Sequence, residues 1–252
     1  MTAHRAVLVK HLSEILSIAD IPDSSCNGLQ VEGAEIISVV GLAVDASLAV
    51  YKKAIAKKCQ LLIVHHGIIW NGLTSITGSA KRQIEYLLKH RLNLYAAHLP
   101  LDSHPEYGNN IGLAKLLGLS DISPFGAYKG RTIGFKGKAT RTMTVDEIGA
   151  VLRTALGGAF SSLPFGKRKN GTIAMVSGGG SQSLPEAIEQ GIDCFVTGEP
   201  DHRDHHLALE AGINVVYGGH YHTEKLGVMS LGRHLEKKFG IKTVFIDEPT
   251  LV

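Results

Sequence analysis

Leu61-Leu62-Ile63-Val64-His65-His66-Gly67 is the stretch from which the fold can be read. Four apolar residues, two of them β-branched, run into two adjacent histidines and a glycine. An apolar run of this length between helix-like stretches reads as a buried strand of a parallel sheet. Open α/β sheets bind ligands beyond the carboxyl ends of their strands, and His65 and His66 stand at that end. Neighbouring side chains on a strand point to opposite faces, but at a strand-to-loop break, which Gly67 permits, both can turn into one cavity. A lone buried histidine is more often a satisfied core residue than a ligand. An adjacent pair at a strand end reads as a metal site, and two imidazoles side by side suit two ions better than one.

The whole composition agrees with an α/β protein. The 252 residues are rich in aliphatics and glycine and contain one tryptophan, Trp70, which argues against a β-sandwich. A formal charge of +3 gives no reason to expect a nucleic-acid partner, without forbidding one. Cys26, Cys59 and Cys194 lack CxxC spacing and read as free thiols of a reducing compartment. Residues 1–20 are amphipathic rather than a signal peptide, and no run reaches transmembrane length. The expected setting is therefore cytoplasmic, with no membrane partner.

Outward from the histidine strand, the pattern predicts a helix from Thr2 to about Ala19, a loop over 21–35, a strand Ile37–Val44 ending at Asp45, and a helix Ala46–Lys58. Beyond it come a helix Ala80–His90, a strand Leu92–Ala97 ending at His98, a loop Leu99–Gly108 carrying Pro100 and Asp102, and a helix Ile111–Leu117. Residues 120–143 shift to short, glycine-punctuated, basic pieces. The boundary between a first half, 1–126, and a second half, 127–252, is placed here, with the final segment free to pack back on the first half. The second half predicts a helix Thr144–Leu156, a loop Ser161–Gly171 whose Lys167-Arg168-Lys169 reads as a solvated basic turn, and strands Thr172–Ser177, Ile192–Val196, Ile213–Tyr217 and Thr243–Ile246. Three helices complete it, one after Gly178-Gly179-Gly180 ending near Gln190-Gly191, a His-rich one (His202, His205, His206) and Lys225–Phe239.

The halves echo one another. VVGLAVDASLAVYKKAIAKKCQLLIVHHG resembles IAMVSGGGSQSLPEAIEQGIDCFVTGEP, and LNLYAAHLPLD resembles INVVYGGHYHTE. The second match sets His98 against His220 and, four residues on, Asp102 against Glu224. The expected fold is thus two similar, pseudo-repeated α/β domains with the site in the cleft between them. Imidazole with carboxylate suits zinc, iron, manganese or cobalt, and the cysteine spacing excludes a Cys-rich structural zinc. Asp102 would reach its target from a loop and could bridge two ions. Glu224, in the first turn of the last helix, could equally serve as a cap. Gly178-Gly179-Gly180 could cradle a phosphate. HExxH, PCxxC, GxxxxGK[ST] and GxSxG are all absent.

Asn27-Gly28-Leu29-Gln30-Val31-Glu32-Gly33, Ile63-Val64-His65-His66-Gly67, His98-Leu99-Pro100-Leu101-Asp102, Gly108-Asn109-Asn110, Thr197-Gly198-Glu199 and Gly219-His220-x-x-x-Glu224 resemble the GTP cyclohydrolase 1 type 2 family, also called NIF-three-like. The resemblance implies a dinuclear site with His65, His66, Asp102, His220 and Glu224 as ligands, and His98 and Glu199 as further residues acting at it. It also implies a toroidal homohexamer and hydrolysis of a nucleotide such as GTP by metal-activated water. The alternative is a non-enzymatic metal-binding, metal-delivery or scaffold protein. Ile68, Ile69 and Trp70 follow the histidine pair and need cover, from the other half or from another subunit.

Overall fold

The computed structural model describes residues 1–72 and 75–250. The chain divides into two compact units. The first, Met1–Leu101 with Gly227–Glu248, contains β1 (Ala3–His4), α1 (Arg5–Ile15), β2 (Gly28–Val31), β3 (Ile36–Ile37), β4 (Val39–Asp45), α2 (Leu48–Ala56), β5 (Leu61–His66), α3 (Gly78–Lys89) and β6 (Asn93–Ala96). A one-turn helix, α4 (Leu99–Asp102), leads out of it, its last residue counting with the second unit. The second unit, Asp102–Leu226, contains α5 (Asn109–Leu116), β7 (Leu119–Tyr128), β8 (Arg131–Met143), α6 (Val145–Leu156), β9 (Ser161–Pro164), β10 (Asn170–Val176), α7 (Leu184–Glu189), β11 (Cys194–Thr197), α8 (Asp204–Ala211), β12 (Asn214–Tyr217) and α9 (His220–Thr223). From Gly227 onward, α10 (Lys225–Phe239) and then β13 (Lys242–Phe245) return to the first unit.

This corrects the expected boundary at residue 126. A cut there would fall within β7 itself, which forms one antiparallel hairpin with β8; the glycines and basic residues of 120–143 punctuate that hairpin. The return of the last segment is direct, because β13 pairs in parallel with β4.

The first sheet has the order β13-β4-β5-β6-β2, parallel except for β2. Leu61 through His65 of β5 are all buried, as expected for a parallel strand covered on both faces. One cover is α2 and α3, whose Val50, Tyr51, Ala54 and Leu87 pack with Leu62, Val64, Leu94 and Ala96. In the second sheet, β7-β8-β10-β11-β12-β9, β10, β11 and β12 are parallel and the others antiparallel. Its core joins α5 and α6, through Leu113, Ile148 and Leu152, to Ile173, Met175, Val196 and Val216. A capping box between Thr144 and Glu147 starts α6.

β4-β5-β6-β2 and β10-β11-β12-β9 have the same topology, and side chains at equivalent positions lock both. Buried Asn93 accepts from Gly33 N at 2.7 Å and donates to Ala34 O at 2.8 Å. Buried Asn214 accepts from Gly166 N at 2.8 Å and donates to Lys167 O at 2.7 Å. Gln60, just before β5, accepts from the Ser38 and Val39 amides. Asp193, just before β11, accepts from those of Gly171 and Thr172. In each repeat an asparagine thus ties the chain leaving the antiparallel edge strand to the third parallel strand.

Several local expectations change. β2 and β9 lie within segments expected to be loops, because short edge strands of mixed composition leave no period-2 signal. α1 starts later than Thr2, capped by the His4 ring accepting from Ala6 N. His202 precedes α8. Asp102 closes the helical turn α4, since proline is tolerated in a first turn, and Glu224 lies between α9 and α10. The ladder equates Ala97 with Gly218, whose amides donate to Val64 O and Thr197 O respectively. His98 therefore corresponds to Gly219, and His220 stands one residue further on. No described helix is long and apolar enough to cross a membrane.

Asn93→Ala and Asn214→Ala each strand three polar partners, so urea unfolding should show each losing about 2–4 kcal/mol. Burial alone would raise the Asp193 carboxyl, but Lys167 and the two amides outweigh it and lower its pKa. Its contribution is therefore present above the ordinary aspartate value, about pH 4, and lost as pH falls through the depressed one. Asp193→Ala should flatten the acid limb of a stability–pH curve.

Candidate metal centre

In the first unit the carboxyl ends of β5 and β6 bring three imidazoles together. One nitrogen from each of His65, His66 and His98 lies within 4.8 Å of the others, with ring centroids 4.7–5.6 Å apart. Each ring is held through Nδ1. His65 Nδ1 sits 2.8 Å from Ala97 O, His66 Nδ1 2.8 Å from Asp45 Oδ1, and His98 Nδ1 3.0 Å from both Asp23 oxygens. With Nδ1 donating to an oxygen, Nε2 is the nitrogen that could bind a metal, and the acceptor fixes both tautomer and ring plane.

The loop before β2 supplies the support for His98. Asp23 accepts from Leu99 N, Ser25 N and Asn27 Nδ2 as well as from His98, while Asn27 Oδ1 accepts from His98 N at 2.7 Å. Burial alone would raise the Asp23 carboxyl, but the bond and charge of His98, with Asn27 and the Ser25 amide, hold it well below the usual carboxylate range. Gln30 steadies the turn after His66, its Oε1 accepting from Ile68 N at 2.8 Å. Trp70 donates to Gly67 O at 2.9 Å and meets the His98 ring edge-on at 5.0 Å, remaining 37% exposed. Asp23, Gln30 and Asp45 were not identified as site residues from the sequence. The only signals were Asp45 at a strand end and Gln30 within the Asn27–Gly33 motif.

The second unit gathers carboxylates. Asp102 is buried, and its Oδ1 accepts from Asn109 Nδ2 at 2.8 Å and Ser177 Oγ at 3.1 Å. Asn110, also buried, accepts from Ser177 N and donates to Ile133 O, holding that strand end in place. After β12, His220 lies between two carboxylates, with Nδ1 3.1 Å from Glu199 Oε2 and Nε2 3.2 Å from Glu224 Oε2. Burial alone would lower its pKa, but Glu224 and then Glu199 outweigh it and raise it to about 9. A divalent cation could take the place of that shared proton. Gly178, at φ +61°, leaves room for this arrangement: a Cβ there would overlap Glu224 Oε1. Gly178–Gly180 thus accommodates neighbouring side chains and the Thr197 and Thr223 hydroxyls.

A family model for Duf34/NIF3 (NGG1p interacting factor 3) matches residues 3–250. A protein of Archaeoglobus fulgidus named GTP cyclohydrolase 1 type 2 homolog is 46% identical over 245 residues, which is 97% of this chain and 98% of that one. A Pyrococcus abyssi protein of the same name is 44% identical over 98% of each chain. The crystal structure of TTHA1606 from Thermus thermophilus has a TM-score of 0.92 at 41% identity, covering 99% of this chain and 100% of that one.

Gly178→Ala should displace the Glu224 carboxylate and adopt a strained φ, costing about 1–3 kcal/mol. Thermal unfolding measures the loss, and the same substitution at the open position Gly191 (φ +64°) separates backbone strain from the clash.

Proposed function

The chain belongs to the Duf34/NIF3 family, and on that premise we propose that it is a dinuclear metal-dependent hydrolase of a nucleotide or related heterocycle. The proposed ligands are His65, His66, Asp102, His220 and Glu224. The observation that carries the reading is the histidine cluster of the first unit, three rings each held through Nδ1. Nitrogen and oxygen donors fit zinc, iron, manganese or cobalt. The two buried thiols do not compete: burial pushes Cys59 up to about 11 and raises Cys194 further. The relatives' name, GTP cyclohydrolase 1 type 2 homolog, supplies GTP as the first substrate to try.

Two bound divalent ions would supply Lewis acidity and lower the pKa of water toward neutrality. The chain's own residues do the rest. Ala97 O and Asp45 orient two ligating rings, and Asn109 and Ser177 orient the Asp102 carboxylate. His98, backed by Asp23, is suited to pass a proton at Nε2. Glu199 is suited to accept one at the carboxylate it shares with His220 Nδ1. We extend the proposal to a toroidal homohexamer in the cytoplasm, the number following from the family resemblance; the exposed part of Trp70 offers apolar surface for a subunit contact.

Elemental analysis should find close to two transition-metal ions per chain. Asp102→Asn should weaken retention by at least about tenfold, and His98→Ala by less. Chromatography of a nucleotide panel after incubation should show turnover that chelator abolishes. Metal-free protein that cannot be reloaded overturns the metal centre. Full loading with no turnover on any nucleotide favours a metal-binding, delivery or scaffold role. Light scattering should give a hexameric mass; a monomer at micromolar concentration excludes the ring.

A further inference from the structure

Within the first unit, α1 and α10 meet through two imidazoles that the candidate metal centre does not use. His11 Nε2 and His234 Nε2 lie 2.7 Å apart, with both rings half-buried. The rings stack at 16° with their centroids 5.1 Å apart. Phe239, the last residue of α10, meets the His11 ring edge-on at 5.2 Å. The Met1 ammonium donates to Gly240 O at 3.3 Å, in the turn that follows. Each of these contacts joins the start of the chain to the segment that returns from the second unit.

A bond between two Nε2 atoms needs one N–H and one bare lone pair. With both rings neutral, one carries its proton on Nε2 and the other on Nδ1. A first extra proton goes to the donor ring, and the bond becomes charge-assisted. A second sets two N–H groups and two positive charges face to face across the same gap, and the bond is lost. The two rings therefore titrate as a unit, with the second proton held off. Their surroundings oppose that proton as well. Burial, Lys238 of α10 and His234 lower the His11 pKa against the pull of Glu14, whose carboxylate also faces Lys10 at 3.8 Å. α1 otherwise packs on β1 and β2, where the one titratable side chain, His4, accepts from Ala6 N at the start of the helix. Gly232 of α10 rests on Leu42 of β4 and Thr243 of β13. Those strands carry Asp45, bonded to His66, and Lys242, whose charge acts on Cys59.

We propose that His11 and His234 form a proton-operated latch, which holds α10 on α1 while the pair carries at most one extra proton and releases it when both rings are charged. The sign follows from linkage. A histidine whose pKa is lowered in the folded chain adds stability above its ordinary value of 6.5, and that contribution is lost as pH falls through the depressed one. The latch is thus shut at neutral pH and opens in mild acid. What it frees is the end of α10, with Phe239 and the turn at Gly240 that leads into β13. Neither ring belongs to the proposed metal centre, so the latch stands whether or not the chain is a hydrolase.

Imidazole Cε1–H shifts of the intact protein, followed from about pH 8 to about pH 5, should show His11 and His234 titrating in two coupled steps, the second well below the ordinary histidine value. Over the same range, hydrogen exchange corrected for its intrinsic rate should show the amides of residues 231–239 losing about tenfold in protection. His234→Gln keeps a donor and an acceptor facing His11 but takes up no proton, and it should hold that protection within about twofold. Equal loss of protection in wild type and His234→Gln overturns the latch. Coupled titration with unchanged protection in the wild type overturns it too, because the charged rings then swing into solvent without releasing the helix. Should His234→Gln fail to fold, the wild-type titration decides: two rings titrating independently at the ordinary value exclude the latch, and coupled steps accompanied by the loss of protection uphold it.

Discussion

Parallel pairing of β4, β5 and β6 forces their carboxyl ends onto one edge of the sheet, and the chemistry of the first unit follows from that constraint. An antiparallel sheet would scatter alternate strand ends to opposite edges. Here Asp45, His65, His66 and His98 arrive on the same edge, because the strands run the same way and their registers stop within a residue or two of one another. The crossover helices α2 and α3 are what make the parallel order possible, and their buried stripes hold it.

Imidazoles that could hold a metal also need orientation, which costs side-chain entropy. The first unit meets that cost with acceptors that come from elsewhere in the sheet or its edge loop. His65 uses a carbonyl of the neighbouring strand, His66 a carboxylate at the end of the other neighbour, and His98 the Asp23 carboxylate, itself held by Asn27 and two amides. Removing any one acceptor leaves a ring able to flip or change tautomer, so the support matters as much as the donors.

The internal repeat shows how one frame takes different donors. Asn93 and Asn214, and likewise Gln60 and Asp193, do the same work in each unit. At the strand ends the equivalence stops: His65 and His66 correspond to Gly198 and Glu199, and Asp45 corresponds to Gly178. The first unit therefore presents nitrogen donors and the second carboxylates with a single histidine. Frame residues satisfy buried backbone groups and tolerate little change, whereas strand-end residues face outward from the ladder and can vary.

The histidine strand, α6 and α10 were legible in the sequence, because each depends on neighbours within a turn or on an apolar run long enough to show its period. The family motifs, including His98, Asp102, Glu199, His220 and Glu224, were legible through the family resemblance. The division of the chain was not: the glycines of β7–β8 look like a linker until the hairpin pairs, and the last helix and strand join the first unit only through pairing of β13 with β4. Asp23 and His98 are 75 residues apart, and no local pattern links them. The one-residue offset between His98 and His220 was likewise decided by the ladder. Local periodicity is written in adjacent residues, but which distant carboxylate meets which imidazole is settled only when the sheet closes and buried donors must find acceptors.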